Sequence, residues 1–350
     1  MMHLDRYLSA IFLKWLLITV FAMTTLLGVL DALGNADLLP AGAGFVGQMR
    51  YMVLRLPMLF DRILLFALLL SLLLSYSTLI RRNELVPLAN AGLSVFAQIR
   101  ALLPAVILAS AVSALFIDQV SPVAHRALER WLGAGVLRDD SRTPETLWLS
   151  DARRLVEVEG LVGDTITGVT LYERGDKGRI AAVTRAASAS PLPDGWALED
   201  VSQIRFDGSP PKPPLTWQSP QTPETLRLLM AAPRDLALGD LYRLSRMTGS
   251  GSQPASAYLV WLFNRLSLPF AATGLLLLAV PLMQRFGRRE NSDLALAGGA
   301  AIGFVFMVAD GVLKTMAEKG TISAVAAVVL PVLALIALGL TLALRRRTLR

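Results

Sequence analysis

Long apolar runs alternate with short charged segments along this chain. A helix needs about 20 apolar residues to cross the hydrocarbon core of a bilayer. Six runs approach or exceed this length: Ile11–Leu33, with Lys14 near its start; Ile63–Ile80; Ala101–Ile117; Leu266–Met283, extended upstream by Tyr258–Phe263; Leu294–Ala309, continuing to Met316; and Thr321–Leu344. The pattern predicts six transmembrane helices in two groups of three. A cleaved signal peptide is the alternative for the first run, but its apolar part is too long and five more runs follow.

Between residues 121 and 256 the long runs stop, and short runs with period-two alternation replace them. The candidate strands are Leu147–Leu149, Leu155–Val158, Ile166–Tyr172, Ile180–Ala186 and Trp196–Val201. Strands separated by turn residues at spacings of roughly ten residues suggest a β-sandwich or jelly roll. We therefore predict an inserted β domain, with a helix at Leu236–Met247 that returns the chain to the membrane.

The composition agrees with a membrane protein. Of the 350 residues, 54% are hydrophobic and only 17% are charged, and the mean hydropathy is +0.52. Cysteine is absent and His3 and His125 are the only histidines, which excludes disulfides, thiolate catalysis and multi-histidine metal sites. The sequence contains no Walker A, H-E-x-x-H or G-x-S-x-G pattern, so we expect no catalytic residue, metal or cofactor in this chain.

Basic residues collect at alternate ends of the predicted helices. They are Arg6, Lys14, Arg81, Arg82, Arg100, Arg285, Arg288, Arg289, Arg345, Arg346, Arg347 and Arg350. Because lysine and arginine concentrate on the cytoplasmic side of membrane proteins, both termini are predicted inside and the β domain outside. The net charge of +7 is therefore interpreted as a topology signal rather than as a sign of nucleic-acid binding.

The predicted fold is thus an α+β membrane protein, with six transmembrane helices in two groups of three and an inserted periplasmic β-jelly-roll domain. Its expected boundaries are residues 1–120 for helices 1–3, 121–256 for the β domain, and 257–350 for helices 4–6 with a basic cytoplasmic tail. An open edge of the β domain is expected to extend its sheet into a partner, with Ile180–Ala186 and Trp196–Val201 as the candidate strands. The proline-rich residues 210–214 form either a stiff linker or an edge segment.

The cytoplasmic turn after helix 2 carries the most informative pattern. The segment Arg81-Arg82-Asn83-Glu84-Leu85-Val86-Pro87 leads to Ala91-Gly92 and into helix 3. Asn83 is a candidate N-cap for a short amphipathic helix over about residues 83–98, with Glu84 in its first turn. Gly92 is a candidate C-cap or kink. The segment is interpreted either as a plain connector or as a helix that docks into a cytoplasmic motor protein.

Ionisable residues within predicted membrane helices are the second candidate site. Asp310 and Lys314 lie four residues apart, so they share a helix face and can form an ion pair. The alternative is that Lys314, together with Arg265 in helix 4, provides cationic contacts for an anionic substrate in the helix bundle.

Several of these segments resemble one known family. The opening Leu4-Asp5-Arg6-Tyr7, the Arg81–Val86 segment followed by Ala91-Gly92, the stretch Trp261–Pro269, and Gly303–Phe306 with Asp310 are similar to segments of the LptF/LptG permeases. These permeases are the transmembrane subunits of the ABC transporter that extracts lipopolysaccharide. The resemblance covers nearly the whole chain, including the β domain between helices 3 and 4, and it favours the LptG branch over the LptF branch.

The resemblance implies a set of partners and a mechanism. An LptF-like permease would pair with this chain, an LptB-like ATPase dimer would use ATP and Mg beneath them, and an LptC-like bridge protein would receive the lipopolysaccharide. Closure of the ATPase would squeeze a cavity between the two permeases, with helices 1 and 5 as lateral gates. By the same resemblance Glu84 is the ATPase-coupling residue, within a segment formed by Arg81, Arg82, Asn83, Leu85 and Gly92.

One departure from the family concerns the glycolipid phosphates. LptG proteins often carry lysines just after helix 1, whereas residues 33–37 here contain none. Either the phosphate contacts are made by Arg50, Arg55 or Lys314, with Arg265 as a further candidate for substrate contact, or the substrate carries fewer phosphates. The competing functions are an LptF role, a transporter that works without an ATPase, and a scaffold for envelope assembly. Association with a cytoplasmic ATPase separates the last two from the permease.

Overall fold

The computed structural model describes residues 2–40, 42–85, 87, 94–132, 146–151, 154–175, 179–206, 210–246, 253–286 and 292–344. Its helices of eight or more residues are α1 (Met2–Gly34), α2 (Gly44–Arg81), α3 (Val95–Leu132), α4 (Pro223–Met230), α5 (Leu238–Ser245), α6 (Ala255–Phe286), α7 (Ser292–Glu318) and α8 (Ala324–Leu344). Six of them, α1–α3 and α6–α8, are long and apolar enough to cross a membrane, as the sequence predicted.

The two longest membrane helices, α2 and α3, are much longer than a bilayer requires. Helices α2 and α3 have 38 residues each. At a rise of 1.5 Å per residue each is about 57 Å long, against a hydrocarbon core of about 30 Å. The predicted domain boundary at residue 120 falls inside α3, which continues to Leu132. Each of these two helices is therefore long enough to extend beyond the hydrocarbon core as regular helix.

The helix bundle is organised around α2 and α6, which are the most buried of the six membrane helices, whereas α7 and α1 are the least buried. Leucines such as Leu68 and Leu72 of α2 and Leu276 of α6 form the centre of the bundle core. Glycines allow close approach at two crossings, since a Cβ at Gly303 would lie 1.9 Å from the Leu69 side chain and one at Gly339 would lie 2.7 Å from the Leu277 carbonyl carbon. Small residues at such crossings are typical of membrane helix packing.

The inserted domain is one curled antiparallel sheet. Its strands are β1 (Leu147–Asp151), β2 (Arg154–Val162), β3 (Thr165–Arg174), β4 (Ile180–Leu192), β5 (Gly195–Arg205) and β6 (Thr216–Gln218). The five predicted strands are all present, and the α+β class with an inserted β domain is confirmed. The strands pair in sequence order, so the described strands form a meander, whereas the jelly roll that the sequence suggested contains Greek-key connections.

The inner face of the sheet is closed by helices rather than by a second sheet. Trp196 of β5 and Trp217 of β6 stack with ring centroids 6.5 Å apart, and both are almost fully buried. Leu226 of α4 and Leu241 of α5 are fully buried in the same cluster. Trp261 of α6 also belongs to it, so the core of the β domain continues into a membrane helix.

The two edges of the sheet differ. The strand Ile180–Ala186 lies on β4, which pairs with both β3 and β5, so the expectation that it is an open edge is wrong. Beside β5, the extended residues 210–215 are held by hydrogen bonds from Leu198 N to Leu215 O (2.8 Å) and from Lys212 N to Gln203 Oε1 (2.7 Å). The prolines in this segment have no N–H to donate, so this edge is a poor template for pairing with a further strand. Among the described strands, β1 and the three-residue β6 are the end strands, each with one neighbour, and β1 is the longer of the two.

Candidate functional site

The C-terminal end of α2 is closed by a Schellman motif. Asn83 has φ 57°, in the left-handed region, and its N–H donates to Ile80 O (2.9 Å). The Glu84 N–H donates to Leu79 O at 2.9 Å. These two bonds satisfy carbonyls that the helix end leaves without partners. The prediction that Asn83 is an N-cap is therefore wrong, because an N-cap has extended backbone and Asn83 instead terminates the preceding helix.

Glu84 is half-buried and hydrogen-bonded to the start of the chain. The Tyr7 hydroxyl donates to Glu84 Oε2 at 2.6 Å. Leu85 packs partly buried against the bundle core. The contact brings together two of the segments that carry the family resemblance, although they are 77 residues apart in sequence. The carboxylate is thus fixed at a joint between α1 and α2.

The two arginines beside Glu84 lie at the surface. Arg81 Nη2 is 2.7 Å from Asp293 Oδ1 at the start of α7, and both side chains are mostly exposed. Exposed ion pairs contribute little to stability, so Arg81 is available for other partners. Arg82 is exposed. Gly92 and residues 86, 88–91 and 93 of the predicted helix over residues 83–98 lie outside the described residues, and residues 95–98 belong to α3.

In the half of α2 away from Arg81, Arg55 forms an ion pair within the chain. Its Nε lies 3.1 Å from Asp31 Oδ2, and the Tyr51 hydroxyl donates to the same oxygen at 2.9 Å. Arg50, one and a half turns earlier on α2, is exposed and lies over the Trp131 ring at 4.7 Å. A guanidinium on an indole face keeps its outward N–H groups free to bind an anion.

The two candidates within the membrane helices are also paired. Lys314 and Asp310 are both buried and form an ion pair on α7, as their four-residue spacing predicted. Arg265 of α6 is 2% exposed, and its guanidinium bonds Asp118 Oδ1 (3.1 Å) and Arg234 O (2.8 Å). A buried charge that is already paired costs more to redirect than an exposed one. Of the four candidate cations, Arg50 is therefore the one best placed to contact a substrate.

Sequence reasoning missed a polar junction between the β domain and the bundle. Arg234 follows α4 in a short 3-10 helix (Pro233–Asp235), and its Nε lies 2.7 Å from Asp61 Oδ2 of α2. The same guanidinium lies 4.8 Å from the Trp261 ring centroid. Asp61 and Arg265 were recognisable as charges beside apolar runs. Their link through Arg234 could not be found from sequence, because Arg234 lies in an irregular segment far from both.

The described residues contain no group of three or more His, Asp or Glu side chains that could hold a metal ion. The charged residues near the membrane helices are instead paired, arginine or lysine with a carboxylate, which is the arrangement expected where charges must be neutralised near lipid. The geometry thus shows paired charges within a bundle of apolar helices.

Comparison with known proteins agrees with this character. A family model described as "Lipopolysaccharide export system permease LptF/LptG" matches residues 6–345. The lipopolysaccharide export system permease protein LptG of Escherichia coli (strain K12) is 24% identical over 360 residues, covering 98% of both chains. The protein of the same name from Haemophilus influenzae is 23% identical over 356 residues, covering 98% of this chain and 99% of its own. These matches span both groups of membrane helices and the β domain.

Proposed function

The chain belongs to the LptF/LptG family of lipopolysaccharide export permeases, and we propose that it is the LptG-type half of the transporter. The observation that carries the proposal is the family match over residues 6–345, which includes the six membrane helices and the inserted sheet together. The proposed role is to extract lipopolysaccharide from the outer leaflet of the inner membrane and to pass it to the β domain. The chain is a transport subunit, and ATP hydrolysis is assigned to a separate cytoplasmic ATPase dimer.

The lateral gates are assigned to α1 and α7. These two membrane helices are the least buried, and their outward faces carry large apolar residues such as Phe21 and Phe304. Apolar side chains on such faces fit both acyl chains and the facing helices of an LptF-like permease. A cavity between the two permeases would open to the lipid when these faces separate.

The energy input is assigned to the segment around Glu84. This carboxylate, on the predicted cytoplasmic side, is held against α1 by Tyr7, so a push on it reaches both α1 and α2. Since α1 is a proposed gate, the contact provides a direct path from an ATPase groove to the gate. Arg81, Arg82 and Leu85 would complete the docking surface.

On the opposite side, Arg50 is the proposed contact for an anionic headgroup. It is exposed near the outer end of α2, beside apolar residues such as Phe45 and Met49, which are also exposed. A phosphate meeting the guanidinium there would gain charge-assisted hydrogen bonds. The β domain would then pass the glycolipid to an LptC-like bridge protein.

The test is purification from an inner membrane in mild detergent, followed by reconstitution into liposomes that contain lipopolysaccharide. We expect an ATPase and a second permease to co-purify, and ATP-dependent arrival of lipopolysaccharide at photo-crosslinkers in the β domain. A secondary carrier would purify without an ATPase. A scaffold would purify with envelope proteins but show no ATP-dependent crosslinking to the glycolipid. Either of these outcomes would refute the proposal.

A further inference from the structure

Three charged residues mark the outer limits of three apolar runs, and the fold brings them together. Asp61 nearly adjoins the run Ile63–Ile80, Asp118 directly follows Ala101–Ile117, and Arg265 directly precedes Leu266–Met283. They come from α2, α3 and α6. The segment Pro233–Leu238, which returns the chain from the β domain, lies among them. We call this cluster of Asp61, Asp118, Arg234, Trp261 and Arg265 the outer junction.

The bonds of the outer junction converge on the return segment. Asp61 Oδ2 accepts from Arg234 Nε at 2.7 Å, and Asp118 Oδ1 accepts from the Leu238 N–H at 2.6 Å. Arg265 links Asp118 to the return segment, since it donates to Asp118 Oδ1 (3.1 Å) and to Arg234 O (2.8 Å). Each of the three membrane helices thus holds the same short segment through a charged side chain: Asp118 and Arg265 bond its backbone, and Asp61 bonds the Arg234 side chain.

The outer junction also contacts a fourth membrane helix, the proposed gate α7. The Trp261 ring carries the Arg234 guanidinium on one face at 4.8 Å, and its Nε1–H donates to Glu318 Oε1 at 2.6 Å. Glu318 is the last residue of α7. One indole therefore links the return segment to the outer end of the gate helix.

The return segment is also rigidly connected to the sheet. It lies between α4 and α5, whose Leu226, Leu229 and Leu241 are buried in the core of the β domain. A displacement of the return segment must therefore carry the core of the β domain with it. Ionic networks of this burial often add little to stability, but they can specify one arrangement of the parts they join.

We propose that the outer junction transmits movement of the membrane helices to the β domain, so that gate closure and reorientation of the sheet occur together. The inference rests on the proposed function, because it assigns the step by which lipopolysaccharide leaves the bundle for the β domain. Arg234 and Asp61 are positioning residues in this scheme, and neither contacts the substrate.

The test uses the reconstituted complex with Asp61→Asn or Arg234→Gln. Arg265 is left unchanged, because it was itself a candidate for substrate contact. The matched control is Asp164→Asn, which removes an exposed ion pair with Arg227 at a turn of the sheet, away from the outer junction. Two photo-crosslinkers report on the glycolipid, one at Phe21 on the outward face of α1 and one at Val201 on the inner face of β5.

We expect both junction variants to assemble with the ATPase, to hydrolyse ATP at the wild-type rate and to crosslink lipopolysaccharide normally at Phe21. Crosslinking at Val201 should fall about fivefold or more, the lower end of typical coupling between sites. The control should behave as wild type. Because the chain has no cysteine, spin labels at Ala187→Cys and Thr341→Cys can also report the distance between sheet and bundle, which should change with nucleotide in the wild type and not in the variants.

Wild-type crosslinking at Val201 in both variants would overturn the inference and leave the proposed function intact. Loss of assembly in both variants would also overturn it, since the outer junction would then serve folding alone. Failure of the wild type to deliver lipopolysaccharide in an ATP-dependent way would instead refute the proposed function. If crosslinking at Val201 falls, the spin-label distances distinguish two causes. Either the sheet no longer moves with the bundle, or the sheet still moves and the lipid path is blocked.

Discussion

At the scale of single residues, Glu84 has one observed contact and one proposed contact, and their energetic contributions differ. It accepts a hydrogen bond from Tyr7 within the chain, and it is proposed to bind a basic residue of the ATPase. The first contact is partly solvated, so its loss should cost on the order of 1 kcal/mol. The second would leave a charge unpaired in an interface, which typically costs several kcal/mol.

The first prediction uses this difference in size. Glu84→Gln keeps the shape and an acceptor for Tyr7 but removes the charge, so ATPase association and lipopolysaccharide-stimulated hydrolysis should be largely lost. Tyr7→Phe removes the internal bond and leaves the charge, so it should cost much less. Co-purification of the ATPase and its turnover in liposomes are the measurements. If Tyr7→Phe is as damaging as Glu84→Gln, the carboxylate acts only by joining α1 to α2.

Lys314 poses a similar question within the membrane. Lys314→Met leaves the Asp310 carboxylate buried without its partner, which should destabilise the protein by about 3–5 kcal/mol. The double variant Lys314→Met, Asp310→Asn removes both charges and should recover most of that loss. Thermal unfolding of the detergent-purified protein measures both. A single variant that unfolds at the wild-type temperature but no longer binds lipopolysaccharide would instead make Lys314 a substrate contact.

At the scale of elements, the closest helix contact is made by Gly339 of α8 against the backbone of α6. A Cβ there would lie 2.7 Å from the Leu277 carbonyl carbon and 2.9 Å from its oxygen, so Gly339→Ala must push the two helices apart. We expect a loss of about 1–3 kcal/mol, as for other overpacked sites. Gly311→Ala is the control, because nothing lies within 4 Å of its Cβ position. Equal melting temperatures for the two variants would contradict the helix contact.

The exposed edge of the sheet gives the next prediction. The proline-containing residues 210–215 lie beside β5, whereas β1 has one side without a neighbour among the described strands. We therefore expect a photo-crosslinker at Ser150 of β1 to capture a partner β domain. The same group at Arg185, an exposed residue on the central strand β4, should capture none. Adducts from Arg185 alone would place the partner on the outer face of the sheet and not at its edge.

The elements were predictable from sequence to the extent that their signals are local. Six apolar runs and five alternating segments correspond to the six membrane helices and to β1–β5. The strand β6 was missed because its three residues are too short for a period, and α4 was missed because its eight residues make only about two turns. Asn83 was misassigned because a left-handed C-terminal residue and an N-cap favour the same amino acid.

At the scale of the whole molecule, sequence could identify the charges but not their partners. Asp31, Asp61, Asp118 and Asp310 were visible beside apolar runs, and each pairs with an arginine or lysine in the fold. Lys314 is four residues from its partner and was predictable. Arg234 is 173 residues from Asp61 and was not, since a long-range ion pair leaves no periodic signal. The charged residues of the candidate site could thus be named from the sequence, whereas the contacts between them required the structure.

These pairs also bear on how the chain is oriented in the membrane. The ends of α1 and α2 that carry Tyr7 and Glu84 lie on the same side as the start of α7, because Arg81 bonds Asp293 there. On this side Arg81 and Arg82 are exposed, whereas the paired residues Asp31, Asp61 and Asp118 lie in the opposite halves of α1, α2 and α3. Exposed basic residues are the ones that hold a segment in the cytoplasm.

The final prediction is therefore that the start of α3 is cytoplasmic and the sheet is outside. The chain has no cysteine, so Ser94→Cys and Ala187→Cys, both at exposed positions, each introduce a single label site. In spheroplasts a membrane-impermeant thiol reagent should label Ala187→Cys at once and Ser94→Cys only after the membrane is opened. Neither position contacts Glu84 or the outer junction, so transport should persist in both variants. The reverse labelling order would put Glu84 outside, beyond the reach of any cytoplasmic ATPase, and would require the coupling role to be withdrawn.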